Sequence, residues 1–135
     1  MIISKTPYRL SLFGGGTDYP AWFENHPSKV VAAAMANYCH ISVKELPPFF
    51  EHTIKITYSK LENVNSVDEI EHPSIKACLK FMDIPSNISI GFDGDLPARS
   101  GIGSSSAFTV GLLNALYAYK GIPVSKEKLA KDAIY

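Results

Sequence analysis

Gly101, Gly103 and the run Ser104-Ser105-Ser106 lie between two segments of different periodicity. Ahead of them Ile88, Ile90 and Phe92 alternate as a strand does. Behind them Phe108, Leu112, Leu116 and Tyr119 recur at helical spacing. Small residues let a backbone approach a ligand closely. The first turn of a helix offers unpaired N–H groups and a partial positive charge. A Gly/Ser loop that feeds such a helix is an anion site, and phosphate is the usual anion. The competing reading is a glycine turn with a serine N-cap. The loop is not G-x-x-x-x-G-K-[S/T], because no lysine follows the glycines, and it is not G-x-G-x-x-G after a strand. Gly103-Ser104-Ser105-Ser106-Ala107 also approaches the G-x-S-x-G nucleophile elbow. An elbow joins strand directly to helix, and here roughly ten residues, Pro97 among them, intervene before Ser105.

A second stretch carries chemistry. In Tyr8-Arg9-Leu10-Ser11-Leu12-Phe13 the residues Tyr8, Leu10 and Leu12 share one face, which turns Arg9 and Ser11 to the other. Phe13-Gly14-Gly15-Gly16-Thr17-Asp18-Tyr19-Pro20 follows. Three glycines in a row suit neither strand nor helix, so the chain bends there or passes close to something. Thr17 and Asp18 place a hydroxyl and a carboxylate at its end, where an Asx-turn is the plainer alternative.

Together the two stretches resemble the first and second motifs of the GHMP kinases (galactokinase, homoserine kinase, mevalonate kinase and phosphomevalonate kinase). Pro97, Gly101, Ile102, Gly103, Ser104, Ser105, Ser106 and Ala107 match P-x-x-x-G-L-G-S-S-A-A, with Ile102 in place of Leu and Ser106 in place of Ala. Pro7 to Tyr19 matches the galactokinase form P-G-R-V-N-L-I-G-E-H-T-D-Y without a gap, and Gly15 and Gly16 stand where that form has Glu and His. The resemblance implies an α+β domain, a mixed sheet backed by helices, of the ribosomal protein S5 domain 2-like kind. It implies ATP-dependent phosphorylation of a hydroxyl on a sugar or sugar phosphate.

The family's residue roles transfer as follows. Pro97, Arg99, Ser100, Gly101, Ile102, Gly103, Ser104, Ser105 and Ser106 would surround the ATP phosphates, with Ser105 helping to hold Mg²⁺; Arg99, where many relatives have a small residue, either reaches a phosphate or lies on the surface. Arg9 would stabilise charge near the acceptor oxygen. Gly14, Gly15, Gly16, Thr17, Asp18 and Tyr19 would line the acceptor. Two glycines in place of Glu and His favour a larger or phosphorylated sugar over galactose, and F-G-G-G-T-D is similar to the form in heptose-7-phosphate kinases. Residues 1–135 would be the N-terminal ATP-binding domain, with the C-terminal domain and the acidic catalytic base expected beyond Tyr135. Exposed surface toward that domain would favour a homo-oligomer. The alternative from another class is a non-catalytic sugar/ATP sensor on the same fold, which would lack the catalytic acid.

The elements that must position these motifs form a chain of one domain's size. Of its 135 residues 46% are hydrophobic and 19% charged, a globular balance with formal net charge zero. Nothing in that balance suggests a nucleic-acid or anionic-membrane partner. No signal peptide is legible, the longest apolar run is too short to span a bilayer, and a cytoplasmic place is expected. Cys39 and Cys78 read as buried small hydrophobes of a reduced protein, although one disulfide is open on sequence alone. His26, His40, His52 and His72 share no zinc spacing.

Val30 to Ala36 reads as a buried strand, with Cys39, Ile41 and Val43 alternating in the next, then Ile54, Ile56 and Tyr58. Pro73 suits a helix's first turn, with Ile75, Cys78, Leu79 and Met82 on one stripe. Phe92-Asp93-Gly94-Asp95 reads as a turn. Gly121 and Pro123 end the long helix, and Ser125 caps a last one with Val124 and Leu129 as its staple.

Overall fold

A computed structural model describes residues 1–17, 19–96 and 103–134. The α+β expectation holds. Strands β1 (Ile2–Phe13), β2 (Val31–Glu45), β3 (Ile54–Thr57), β4 (Leu61–Val64) and β5 (Ile88–Gly94) form one sheet in the order β1-β2-β5-β3-β4. The β3–β5 pairing is parallel and the other pairings are antiparallel. Helices α1 (Pro20–Phe23), α2 (Pro73–Phe81), α3 (Ser104–Tyr119) and α4 (Lys126–Ile134) complete the chain, with a short 3-10 turn at Val67–Glu69.

One face of the sheet makes the core with the helices. Cys39, Ile41 and Val43 of β2, Ile54 and Ile56 of β3, and Ile88 and Ile90 of β5 meet Ile75 and Leu79 of α2 and Leu112, Leu113 and Leu116 of α3, all fully buried. The period-2 and helical stripes of the sequence are these contacts, and each such side chain contributes about 1.5–3 kcal/mol on burial. Pro7 is tolerated within β1 because β1 is an edge strand. Cys39 and Cys78 are buried free thiols, and burial pushes each up to about 11.

Helix α3 lies close along β1 because it presents Gly111 there. A Cβ at Gly111 would meet Thr6 Oγ1 at 2.8 Å, and the Ser4 hydroxyl donates to the Gly111 carbonyl at 2.8 Å. Pro73 opens α2, and Ile75, Cys78, Leu79 and Met82 are buried as their spacing requires. The Ile122 N–H bonds the Tyr117 carbonyl beyond Gly121, closing α3. The Lys128 N–H bonds Ser125 Oγ at 3.1 Å, capping α4.

Three expectations need correction. Val31 to Glu45 is one strand, and Val31 to Ala34 are exposed rather than buried. Leu10 and Leu12 are likewise 44% and 52% exposed, although Tyr8, which alternates with them in the sequence, is 1% exposed. The cause is geometric: α3 begins beside Arg9, so the β1–β2 ribbon runs beyond the helix layer. Asp93 and Gly94 belong to β5 and form no turn there, because β2 is long enough to pair with them at His40 and Cys39. Strand β4 was not legible, since its four residues Leu-Glu-Asn-Val alternate with a buried glutamate. No helix among the described residues is long and apolar enough to cross a membrane.

Candidate active site

The two motif stretches meet in space where β1 leaves the core. Between Pro7↔Tyr38 and Arg9↔Ala34 the β1–β2 register shifts, so that three β2 residues face Tyr8 alone. Such a bulge increases local twist and re-aims the residues that follow. Arg9 comes to lie under Gly103. A Cβ on Gly103 would stand 3.6 Å from Arg9 Nε and 3.8 Å from Arg9 Cβ. Gly103 precedes α3 with φ of +71°, a left-handed conformation that glycine adopts without strain. The helix therefore has a glycine cap with no side-chain cap bond, which sets aside the serine N-cap reading.

Ser104, Ser105 and Ser106 form the first turn of α3, with Ser105 and Ser106 exposed. The N–H groups of such a turn have no partner within the helix, and the helix dipole makes them attractive to an anion. Ala107 and Phe108, buried, anchor that turn to the core. Phe108 packs on Phe92 at 5.3 Å and on the His72 ring at 5.0 Å between centroids. His72 Nδ1 accepts the Ile75 N–H at 3.4 Å and so caps α2. Burial lowers the His72 pKa and favours the neutral ring that this cap requires. Beside it the Tyr58 hydroxyl and the Glu71 N–H, at 2.8 and 2.7 Å, satisfy the buried Glu62 carboxylate. The bond to Glu62 pushes Tyr58 up to about 12.

The segment entering the loop is clamped. The Tyr38 N–H donates to Asp95 Oδ2 at 2.7 Å, and the Asp95 N–H donates to the Tyr38 carbonyl at 3.0 Å. Pro97, Arg99, Ser100, Gly101 and Ile102, assigned to the nucleotide on sequence, lie outside the described residues, as do Asp18 and Tyr135.

On the acceptor side Gly14 adopts φ of +85°, and a Cβ there would fall 2.0 Å from the Lys29 carbonyl oxygen. The Thr17 N–H and hydroxyl both donate to the Gly14 carbonyl, at 3.0 and 2.9 Å, closing a tight turn. A Cβ at Gly15 would meet Ser11 Oγ at 3.2 Å, while Gly16 faces open space. Tyr19 is 68% exposed and accepts backbone bonds at the start of α1.

The structure thus gathers Arg9, Gly103 and the serine turn at one place, with the Gly14–Thr17 turn following directly on β1. Ser11 and Asp95 were not singled out on sequence. Ser11 was visible only as the residue alternating with Arg9, and the Asp95 clamp depends on a partner 57 residues away. Among the described residues no group of three His, Cys, Asp or Glu is placed to hold a metal. The Ser105 hydroxyl is an exposed, uncharged oxygen in the first turn of α3, a ligand of the kind Mg²⁺ accepts alongside phosphate oxygens.

Residues 70–135 match the sequence model of the GHMP kinases N terminal domain. The D-glycero-alpha-D-manno-heptose 7-phosphate kinase of Campylobacter jejuni is 26% identical over 98% of the chain and 42% of its own length. Among solved structures, a D-glycero-D-manno-heptose 1-phosphate kinase from Bacteriodes thetaiotaomicron superimposes with TM-score 0.83 at 23% identity, over 98% of this chain and 46% of that one. Mevalonate kinase of Methanococcus jannaschii gives TM-score 0.70 at 21% identity, covering 98% and 44%. These neighbours share the S5-like domain expected from the motifs. The chain spans less than half the length of each of these relatives.

Proposed function

We propose that the chain belongs to the GHMP kinases, whose N-terminal domain model matches residues 70–135, and that residues 1–135 form the N-terminal, nucleotide-binding domain of an ATP-dependent kinase acting on a hydroxyl of a sugar or sugar phosphate. The observation that carries this reading is the contact of Gly103 with Arg9. It sets a cation, unpaired among the described residues, against a helix N-terminus suited to phosphate. Phosphoryl transfer asks a protein chiefly for positioning and charge stabilisation, and this pair supplies both. The first turn of α3 holds the phosphates, and Arg9 stabilises charge that develops between donor and acceptor oxygen. Ser105 would hold Mg²⁺, which neutralises phosphate charge when bound. Gly14 to Tyr19 form the acceptor wall. The heptose phosphate kinases among the relatives, and the open space at Gly16, favour a heptose or sugar phosphate over galactose. A cytoplasmic setting accords with two buried reduced thiols.

The test is a titration of ATP with and without Mg²⁺ into the wild-type chain and into Ser105→Ala and Ser106→Ala. ATP should bind, Mg²⁺ should tighten it, and Ser105→Ala should remove most of that gain while Ser106→Ala keeps it. No ATP binding at millimolar nucleotide would refute the reading, and loss of the gain in Ser106→Ala alone would shift the metal contact by one residue.

A further inference from the structure

We propose that Ser11 is a specificity-determining contact to the acceptor, its hydroxyl exchanging a hydrogen bond with a sugar hydroxyl. The inference rests on the kinase reading above and deepens its acceptor site. Between Arg9 and Ser11 the ladder is unshifted, Arg9↔Ala34, Leu10↔Ala33, Ser11↔Ala32. Residues two apart in a strand share a face, so Ser11 stands on the face that Arg9 presents to Gly103. Its cross-strand neighbours on that face are alanines, Ala32 and Ala34, both exposed, which leaves a shelf beside the two polar side chains.

The glycine loop folds over the same shelf. The position of a Gly15 Cβ lies 3.2 Å from Ser11 Oγ and 3.9 Å from Ser11 Cβ, so a side chain at residue 15 would cover the hydroxyl. Glycine there leaves it reachable. Ser11 is half-buried, and its hydroxyl makes no side-chain hydrogen bond among the described residues. The other described hydroxyl of this stretch, Thr17 Oγ1, already donates to the Gly14 carbonyl at 2.9 Å and builds the turn. Ser11 is thus a positioned, uncommitted donor and acceptor, one strand repeat from the cation and on the acceptor side of it. Sugars are recognised by such hydroxyl pairs, and a polar site rejects an analogue that leaves its group unpaired.

The experiment titrates D-glycero-D-manno-heptose 7-phosphate into the full chain as wild type, Ser11→Ala and Ser11→Thr. ATP affinity and thermal midpoint are measured on the same samples. Ser11→Ala should weaken the sugar phosphate by about 3- to 10-fold, the worth of one net hydrogen bond. ATP affinity and thermal midpoint should stay put, and Ser11→Thr, which keeps the hydroxyl, should restore most of the sugar affinity. Equal sugar affinity in wild type and Ser11→Ala overturns the role of Ser11 and leaves the kinase reading standing. ATP binding with no detectable binding of the sugar phosphate to wild type overturns the acceptor assignment and Ser11 with it. A matching loss of ATP affinity and thermal midpoint in Ser11→Ala also overturns the proposal, because the residue would then be structural.

Discussion

Tyr8 shows how little of a single residue's task is written in its neighbours. Its side chain is buried, yet its hydroxyl has no hydrogen-bond partner among the described residues. Burial raises its pKa, and the thiol of Cys39 and the carboxylates of Asp95 and Asp93 add to the rise. The hydroxyl occupies room that Gly94 vacates, since a Cβ on Gly94 would stand 2.6 Å from it. Removing a buried unsatisfied hydroxyl removes its desolvation penalty, so Tyr8→Phe should stabilise the chain by about 1 kcal/mol. Gly94→Ala should destabilise it by about 1–3 kcal/mol through overpacking. Much of that loss should return in the Tyr8→Phe/Gly94→Ala double variant. Urea denaturation of the four proteins reads the coupling, and strict additivity would show that the two groups do not collide. Arg9 and Gly103 were legible because residue type and spacing are local properties. The Tyr8–Gly94 contact was not, because it joins residues that only the fold brings together.

Among the elements, α2 depends on an unusual cap. His72 accepts the Ile75 N–H through Nδ1, which it does only while neutral. Its folded-state pKa lies below 6.5, lowered by burial against the opposing pull of Glu62. Between that value and 6.5 the unfolded chain binds more protons than the folded one, so stability rises with pH there. The contribution is present in full above about 6.5 and is lost as pH falls toward the folded value. Thermal midpoints between pH 5 and 8 should therefore fall on the acid side more steeply for wild type than for His72→Asn, which keeps a capping oxygen without titrating. Parallel curves would remove His72 as the cause. Proline after the cap and the Ile75 stripe announced this helix, whereas a histidine cap is no sequence signal. The β1–β2 ribbon gives the opposite lesson. Its apolar composition suggested burial, but burial depends on where α3 starts, and no property of Val31 to Ala34 reports that.

Across the whole molecule, exposed apolar side chains lie on the β1–β2 ribbon and also on the helical side opposite the sheet. A groove of about 490 Å³ runs between α2, α3 and α4, lined by Ala77, Phe81, Leu113, Ala133 and Ile134. Phe81 is 43% and Ile134 84% exposed. Patches of this kind are hidden by association in soluble proteins, and the heptose and mevalonate kinases that share the fold have more than half their length outside the region matched here. Sedimentation velocity should show the chain self-associating as its concentration rises, and Ile134→Lys should shift it toward monomer without lowering its thermal midpoint. A monomer at every concentration would show that this surface is tolerated bare.

The position of β5 in the sheet has a consequence for the order in which the chain assembles. Strands β1 and β2 can pair before β5 has been made, and β3 and β4 are joined by only three residues. Neither pair completes the sheet, because β5 inserts between β2 and β3 and closes loops of 55 residues at Cys39↔Gly94 and 34 at Ile54↔Ile88. Loop closure of that reach is the slow part of β assembly. Ile90, which packs at the centre of the last-placed strand, belongs to the rate-limiting step. Ile90→Val should slow refolding by nearly its full stability cost, about 0.5–1.5 kcal/mol. Leu129→Ala, in a helix added outside the completed sheet, should mainly speed unfolding. Stopped-flow chevrons of the two variants distinguish them, and equal slowing of refolding by both would mean that α4 docks before the sheet is closed.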